Sequence, residues 1–425
     1  MIKFDKDVLS TLKTLEKEGF ETYAAGDCVR DVVRGVPAYD WDLVTKATMD
    51  DLERLFPKGT VIGGEPHVMR IDFTREVKGK DEDEPSRWEG AVLDIRHMDG
   101  AIQDELSKQA FTIDAMADNP ERAFIDPYDG REDIRKKLVQ TISDADQLFK
   151  AEPIRMMEAV RLSAEMGYDL QKGVYDAIVA NCRLLSGYDV NAIRIQLERL
   201  LVSENAGKGL NMLAGAGLLP AVLGEEVAGK LPSSDKRAFN TVCKNIDKTK
   251  PVRTRRLGLF YTIFSKKKAL RAIEYLNFDE KTKLHLEDAM DKLIGINFLH
   301  TEMEFKRFIF ENGWERFNYL HNLSKAQRIV YDHPSTKIES RNYMTKLVRG
   351  SKAPIFVEDL VIDANDIMEA GITNSPEKAE ELLRLVTAVV HKNPKNNERS
   401  VLLKMAKKYA KHKFSAKTRY VNWVR

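Results

Sequence analysis

The sequence YAAGDCVRD at residues 23–31, followed by YDWDLV at residues 39–44, is the most informative stretch of the chain. If residues 39–44 form a strand, Asp40 and Asp42 project from one face, because side chains two residues apart in a strand point the same way. Adjacent carboxylates repel each other unless a cation lies between them, and a small number of hard oxygen ligands suits Mg²⁺. In isolation, such a pair is more simply interpreted as two solvated acids at a strand end.

The preceding Gly26 and Arg30 favour the cation site. A glycine turn that enters a helix lets backbone N–H groups approach a triphosphate, and a nearby arginine supplies a positive partner. Two Mg²⁺ ions held by Asp40 and Asp42 could activate a ribose hydroxyl and stabilise a leaving pyrophosphate. The stretch therefore favours chemistry on a nucleoside triphosphate.

These residues resemble the signature of the class II tRNA nucleotidyltransferase and bacterial poly(A) polymerase family, within the DNA polymerase β-like superfamily. In that signature, Gly-x-x-Val-Arg-Asp is followed closely by Asp-x-Asp. Further stretches are similar to motifs of the same family: FTIDAMA at residues 111–117, DPYDG at 126–130, EPIRM at 152–156, AVR at 159–161 and LVIDANDIM at 360–368. The resemblance extends over nearly the whole chain, and the motifs together are specific.

The resemblance implies an α+β protein with a polymerase β-like head at residues 1–140 that contains a mostly antiparallel sheet. All-helical neck, body and tail domains would follow at residues 141–225, 226–345 and 346–425. The residue pattern agrees, because apolar and polar residues alternate in three stretches of the head that we expect to be strands. These stretches are residues 40–44, 68–73 and 91–95. From about residue 141, the helical spacing of apolar residues dominates.

The resemblance further implies template-independent transfer of CMP and AMP from CTP and ATP to the 3′ end of tRNA, in CCA addition or repair. Mg²⁺ is the implied cofactor, Asp40 and Asp42 are its ligands, and the tail would bind the tRNA acceptor end. Asp94, on another predicted strand, would be a third catalytic acid, although a single acid on a strand is more often a surface residue. The nucleotide-binding residues implied are Gly26, Asp27, Arg30, Lys108, Glu152, Arg155 and Arg161. Among these, Glu152 and Arg155 would read the incoming base.

Several positions of the nucleotide pocket depart from the family pattern. Asp27 replaces the second glycine of a Gly-Gly pair, and KQA at residues 108–110 replaces Arg-Arg-Asp. Glu152 stands where the family has a base-reading Asp, and Glu158 replaces an Arg. Three hypotheses stay open: an active tRNA nucleotidyltransferase with a modified pocket, a poly(A) polymerase or other paralogue with changed nucleotide choice, and a tRNA-binding protein without transfer activity.

The bulk composition excludes few classes of protein. A chain of 425 residues is too long for one compact core, because single cores stop growing at roughly 250–300 residues. The first 20 residues predict an amphipathic helix rather than a signal peptide, and no long apolar run predicts a membrane span, so we expect a cytoplasmic protein. The three cysteines have no metal-like spacing and are expected to be reduced thiols. The sequence leaves a possible homodimer open.

The net charge of +2 conceals a basic C-terminal end, residues 404–425, which contains no acidic side chain. Four aromatic residues lie among its basic residues: Tyr409, Phe414, Tyr420 and Trp423. The segment is either a solvated face or a surface that binds phosphates and stacks on bases.

Overall fold

The computed structural model describes residues 3–64, 66–77, 87–229, 232–334, 336–351 and 353–411. The chain forms two compact units, Met1–Lys230 and Leu231–Arg425. Among the described residues, we find no helix whose length and apolar character would let it span a membrane. The three cysteines are free thiols; Cys28 and Cys243 are buried.

Within the described residues, the strands all lie in the first unit. They are β1 (Thr22–Ala25), β2 (Asp40–Thr45), β3 (Thr60–Ile62), β4 (Val68–Asp72), β5 (Arg75–Val77), β6 (Arg87–Glu89), β7 (Val92–His97), β8 (Ala117–Asp118), β9 (Phe124–Ile125), β10 (Leu138–Val139) and β11 (Asp169–Leu170). The main sheet has the order β3-β4-β7-β2-β1-β8-β9, and only the central β2 and β7 are parallel neighbours. The predicted mostly antiparallel sheet is therefore confirmed, and each of the three predicted strands is present within two residues of its expected bounds.

Helices flank and follow the sheet in the first unit. They are α1 (Lys6–Lys17), α2 (Asp27–Val33), α3 (Met49–Leu55), α4 (Ile102–Leu106), α5 (Gly130–Lys136), α6 (Ala145–Ala151), α7 (Ile154–Met166), α8 (Lys172–Asn181), α9 (Val190–Val202), α10 (Ala206–Gly215), α11 (Leu219–Leu223) and α12 (Glu225–Ala228). Short 3-10 turns occupy Thr112–Asp114 and Cys182–Leu185. Beyond residue 140 the unit is helical except for β11, which pairs in parallel with β10.

The local sequence explains why residues Lys6–Lys17 form a helix. The side chain of Asp5 accepts a hydrogen bond from the backbone N–H of Asp7, which caps the helix at its start. Val8, Leu12 and Leu15 then recur at helical spacing and are buried. The predicted amphipathic helix is present, over Lys6–Lys17.

The second unit is described as helical throughout. Its helices are α13 (Ser233–Asn245), α14 (Arg253–Tyr261), α15 (Lys266–Tyr275), α16 (Glu280–Ile296), α17 (Glu302–Val330), α18 (Thr336–Gly350), α19 (Ala364–Glu369), α20 (Pro376–Lys392) and α21 (Arg399–Ala410). Helix α17 is interrupted at Gly313, which has a φ of 78°. Short 3-10 turns occupy Ile246–Lys248, Val357–Asp359 and Pro394–Asn396.

The end of the second unit has its own apolar core, in which Leu382, Val386 and Val390 of α20 are buried with side chains of α19 and α21. Within the predicted basic end, Lys404 and Tyr409 lie on α21. The remaining aromatic residues predicted there, Phe414, Tyr420 and Trp423, lie outside the described residues.

Two buried histidines give the second unit a predicted response to acid. His321 and His391 are 5% and 4% exposed, and burial lowers the pKa of each to about 4. Because an unfolded histidine titrates near 6.5, the unfolded state binds more protons between pH 6.5 and pH 4, and the free energy of unfolding falls as the pH drops through that window. Each histidine should contribute a loss of about 2 kcal/mol between pH 7 and pH 4.5.

Urea unfolding followed by circular dichroism at these two pH values tests this. Gln in place of His391 should remove part of the pH dependence, whereas Gln in place of the exposed His300 should leave it unchanged. Equal pH dependence in wild type and His391→Gln would contradict the prediction.

Candidate active site

The two carboxylates of the Asp-x-Asp motif lie on one face of β2. The intervening Trp41 and the following Leu43 are buried on the other face, so the predicted alternation is present. The register of the sheet places Asp42 directly beside Asp94 of β7, and Asp94 directly beside Arg70 of β4. Three neighbouring strands thus carry a row of charged side chains.

Asp94 is held by an arginine that the sequence analysis did not identify. Arg70 donates from Nε to Oδ1 of Asp94 at 2.7 Å and from Nη2 to Oδ2 at 2.6 Å. This is a bidentate ion pair, and it occupies both carboxylate oxygens. The alternation in VMRID at residues 68–72 could have placed Arg70 on the same face as Asp94, but the sequence does not reveal which strands are neighbours.

The electrostatic environment of Asp42 disfavours its negative charge. Burial and the carboxylates of Asp27 and Asp94 raise the pKa of Asp42 to about 6, with a smaller contribution from Asp40, while Arg96 acts in the opposite direction. A bound cation would relieve this repulsion, because an opposite charge stabilises the ionised form.

The two carboxylates suit a metal ion that takes few of its ligands from the protein. Mg²⁺ is commonly held by one or two carboxylates together with substrate phosphates and water, and Asp40 and Asp42 provide two carboxylates. Within the part of the chain that the structure describes, no group of three or more His, Cys, Asp or Glu side chains could hold a metal ion. Two carboxylates on one strand face fit a divalent cation that also takes ligands from water and substrate, and Asp94 is engaged by Arg70.

A cavity of about 270 Å³ lies next to Asp42. Its lining comprises Ala25, Gly26, Asp27, Arg30, Asp42, Arg96, Gln109, Asp114, Glu158, Arg161 and Arg199. Four of these residues are acidic and four are arginines, so the cavity is highly charged but close to neutral. A larger cleft of about 1470 Å³ borders Trp41 and Phe4 instead, on the face of β2 opposite the Asp pair.

The glycine turn adopts the geometry that the motif predicts. Gly26 has a φ of 90°, a conformation that L side chains rarely adopt, and its N–H donates to the carbonyl of Met116 at 3.1 Å. Helix α2 begins at the next residue, Asp27, which is exposed. An acid at this position is favourable for the helix but lies where an anionic ligand would approach.

Arg30 projects into the cavity already paired with two acids. The side chain is buried, its Nε donates to Asp31 at 3.0 Å, and its Nη1 donates to Asp114. Asp114 belongs to the predicted FTIDAMA motif, but the sequence analysis gave it no role. It lies 84 residues from Arg30 in the chain, so only the fold reveals this pair.

The predicted base-reading residues, Glu152 just before α7 and Arg155 on α7, belong to a chain of ion pairs. Arg155 donates to Glu152 at 2.9 Å and to Glu158 at 2.7 Å, and Glu158 accepts from Arg161 at 3.2 Å. Arg161 also donates to Gln196 of α9 at 2.6 Å. Glu158 therefore binds both arginines, and neither Glu152 nor Arg155 is among the residues that line the cavity.

Lys108 is also placed away from the cavity lining. Its exposed ammonium is 2.6 Å from Glu105, which also pairs with Arg96. Its neighbour Gln109 lines the cavity instead, and Ala110 is buried. The structure thus brings together Gly26, Asp27, Arg30 and Arg161 of the predicted nucleotide-binding set.

This fold and site define a class of protein. Residues 22–140 match the model of the poly A polymerase head domain, which covers the sheet and the Asp pair. The predicted resemblance to the family of class II tRNA nucleotidyltransferases and bacterial poly(A) polymerases is confirmed by this match and by the relatives of the chain.

The relatives are CCA-adding enzymes. The enzyme of Geobacillus stearothermophilus is 30% identical over 230 residues, which cover 52% of this chain and 56% of that protein. The chain thus spans about half the length of the first curated relatives it matches. The enzyme of Leuconostoc mesenteroides is 24% identical over 413 residues, which cover 95% of this chain and 96% of that protein.

Solved structures of CCA-adding enzymes share the fold. The Bacillus stearothermophilus enzyme in complex with CTP has a TM-score of 0.75 at 22% identity, covering 96% of this chain and 98% of that chain. The Thermotoga maritima enzyme complexed with tRNA has a TM-score of 0.58 at 16% identity, covering 95% of each chain. The α+β head and the helical remainder are therefore the architecture of CCA-adding enzymes.

Proposed function

We propose that the protein transfers CMP and AMP, without a template, from CTP and ATP to the 3′ end of tRNA, in CCA addition or repair. The observation that carries the proposal is the Asp40–Asp42 pair on one face of β2, beside a cavity that contains the Gly26 turn and Arg30. The relatives are CCA-adding enzymes, and solved members are complexed with CTP, ATP or tRNA, which supports the choice of substrates.

In this proposal, Asp40 and Asp42 hold Mg²⁺, which when bound lowers the barrier to attack of the RNA 3′-hydroxyl on the α-phosphate and offsets the charge of the triphosphate. Side chains of the head and of the helices that follow it would bind the triphosphate and read the base. Gly26 leaves the backbone open to the triphosphate, and Arg30 provides positive charge behind it. Glu152 and Arg155 would turn toward the incoming base to read it.

Asp94 has two proposed roles that exclude each other at any moment. While paired with Arg70 it fixes the charge distribution beside Asp42. To accept a proton from the RNA 3′-hydroxyl, as a third catalytic acid does, it must first release Arg70. Because Arg70 is about half exposed, opening this pair costs little.

A non-catalytic tRNA-binding protein is the second candidate function. The observation that favours it is the state of Arg30, which is already neutralised by Asp31 and Asp114, with the exposed Asp27 in the lining of the same cavity. These acids oppose binding of a triphosphate. A poly(A) polymerase would use the same catalytic geometry and differ in where addition stops.

One incubation separates these functions. The purified protein is mixed with Mg²⁺, labelled CTP or ATP, and tRNAs that end before CCA, after C or after CC, and product lengths are read on a gel. Stepwise addition that stops at CCA supports the proposal, and an A tail of continuing length supports a poly(A) polymerase. No incorporation by protein that still binds tRNA supports the binding protein.

Removal of the Asp27 carboxylate from the cavity lining gives a further prediction. Asn in place of Asp27 should lower the KM for CTP about two- to fivefold, because a partly exposed charge contributes up to about 1 kcal/mol. Steady-state kinetics at saturating tRNA measure this. The matched control is Asn in place of Asp50, an exposed acid in the first turn of α3, which should leave the KM unchanged. An increased KM in Asp27→Asn would show that the carboxylate assists binding.

A further inference from the structure

Four basic side chains of the second unit lie on helices that contact one another and, within the described residues, pair with no acid. They are Arg255 on α14, Lys325 and Arg328 on α17, and Arg341 on α18; we call them the cationic cluster. Within the described ranges, no carboxylate oxygen lies within 4.0 Å of their charged nitrogens. Several other cations of the unit do have such partners, for example Lys281, which is 2.9 Å from Glu315.

Contacts between helices bring Lys325 and Arg341 together. Nη2 of Arg341 donates to Oγ of Ser324 at 3.0 Å, and Ser324 directly precedes Lys325 on α17. Arg328 lies three residues after Lys325, which places the two side chains on one face of the helix. Helices α17 and α18 thus contribute three cations to the same region.

Helix α14 supplies the fourth cation. Nε2 of Gln327 donates to Oγ1 of Thr262, the residue that ends α14, at 3.2 Å, so this end of the helix packs against α17. Arg255 lies seven residues before Thr262, which is two helical turns away on the same face. Its side chain therefore approaches Lys325.

The cluster is electrostatically strained in the absence of an anion. Burial and the charges of Arg255 and Arg341 lower the pKa of Lys325, and burial and Arg328 lower the pKa of Arg341 to about 10. Arg341 is 3% exposed. Its guanidinium donates hydrogen bonds only to uncharged oxygen atoms, which belong to Ile296, Asn297, Ser324 and Lys337. The Nε atoms of Arg255 and Arg328 are buried without an acceptor.

Unneutralised charge of this kind costs stability unless a ligand neutralises it. We propose that the cationic cluster is a binding site for the phosphodiester backbone of RNA, in addition to the nucleotide cavity of the head. Arg255, Lys325 and Arg328 are half-buried and would contact phosphate oxygens, whereas the buried Arg341 adds positive charge behind them. Guanidinium groups match phosphate geometry, and the choice of RNA as the anion rests on the proposed function.

The test compares tRNA binding by the full chain and by the double variant Arg255→Gln/Lys325→Gln. The variant should bind tRNA about tenfold more weakly, and the slope of log affinity against log salt concentration should decrease by about one to two, because each phosphate contact releases about one counterion. Without RNA, the melting temperature of the variant should rise, since mutually repelling charges are removed. A site that only supports the fold would give the opposite shift.

Two controls make the comparison specific. Lys281→Gln removes the same charge from the same unit at a paired lysine, and it should change tRNA affinity less than twofold. Lys325→Arg keeps the charge and should bind tRNA like the wild type. Equal weakening by Lys281→Gln, or unchanged affinity and salt slope in the double variant, would overturn the proposal.

Three further outcomes distinguish RNA binding at the cationic cluster from nucleotide binding in the head and from binding of an acidic protein. Stabilisation of the protein by CTP reports on the cavity of the head, and the variants should retain it. Wild-type protein that binds tRNA through the cluster but adds no nucleotide would contradict only the transfer function. Binding of a polyglutamate peptide that is lost in the double variant, with tRNA binding unchanged, would assign the site to an acidic protein and overturn the RNA proposal.

Discussion

Asn in place of Asp42 is expected to lower nucleotide transfer by at least about 10²- to 10³-fold, the range observed when a group that stabilises transition-state charge is removed. Asp42 is central to the site because it borders the cavity and lies beside Asp40 and Asp94. The Asn side chain has the same size but cannot supply the charge that a divalent cation requires. Binding of tRNA should be almost unchanged, since neutral Asn preserves the strand.

The stability of the Asp42→Asn variant gives an independent readout. Burial and neighbouring carboxylates disfavour the charge of Asp42, so the neutral variant should melt at the same temperature as the wild type or higher. Asn in place of Asp99, an exposed acid after β7, is the control and should retain full activity. Loss of transfer together with tRNA binding and stability would show that Asp42 is structural.

Gln in place of Arg30 is expected to reduce both stability and nucleotide binding. The substitution leaves Asp114 without its cation, whereas Asp31 keeps Arg34, and removing one partner of a buried pair costs about 3–5 kcal/mol. The free energy of unfolding, measured by urea titration, should fall by that amount. Binding of CTP, measured by calorimetry on the folded fraction, should weaken because the positive charge behind the triphosphate is lost.

A double substitution distinguishes the two effects. Arg30→Gln/Asp114→Asn removes the unpaired acid and should recover much of the stability but not the binding of CTP. Asp114→Asn alone should leave Arg30 charged and less neutralised, and should strengthen CTP binding. If the double variant binds CTP as tightly as the wild type, then Arg30 has no role in the nucleotide site.

Two of the altered positions, Glu152 and Glu158, form ion pairs with arginines of α7. Glu158 joins Arg155 to Arg161, and elsewhere in the site Asp114 neutralises Arg30. The arginines expected to meet a nucleotide are thus present, but each is engaged by an acid of the protein. We infer that nucleotide binding in this protein must compete with internal ion pairs, and the Asp114→Asn variant tests this because it removes one of them.

The sequence by itself determined the architecture and the position of the Asp40–Asp42 pair. Alternation along residues 40–44 is a local property of a strand, so it placed Asp40 and Asp42 on one face without knowledge of any other strand. The turn at Gly26 followed from its own backbone freedom, and the family motifs pointed to the same head domain that residues 22–140 match.

Only the tertiary structure decided which charges meet. Arg70 on β4 pairs with Asp94 on the neighbouring strand β7, and Asp114 pairs with Arg30 over 84 residues. A motif specifies which side chains are present, whereas strand order and helix packing specify their neighbours. Because an ion pair depends on distances of a few ångströms between residues remote in sequence, local patterns cannot predict it.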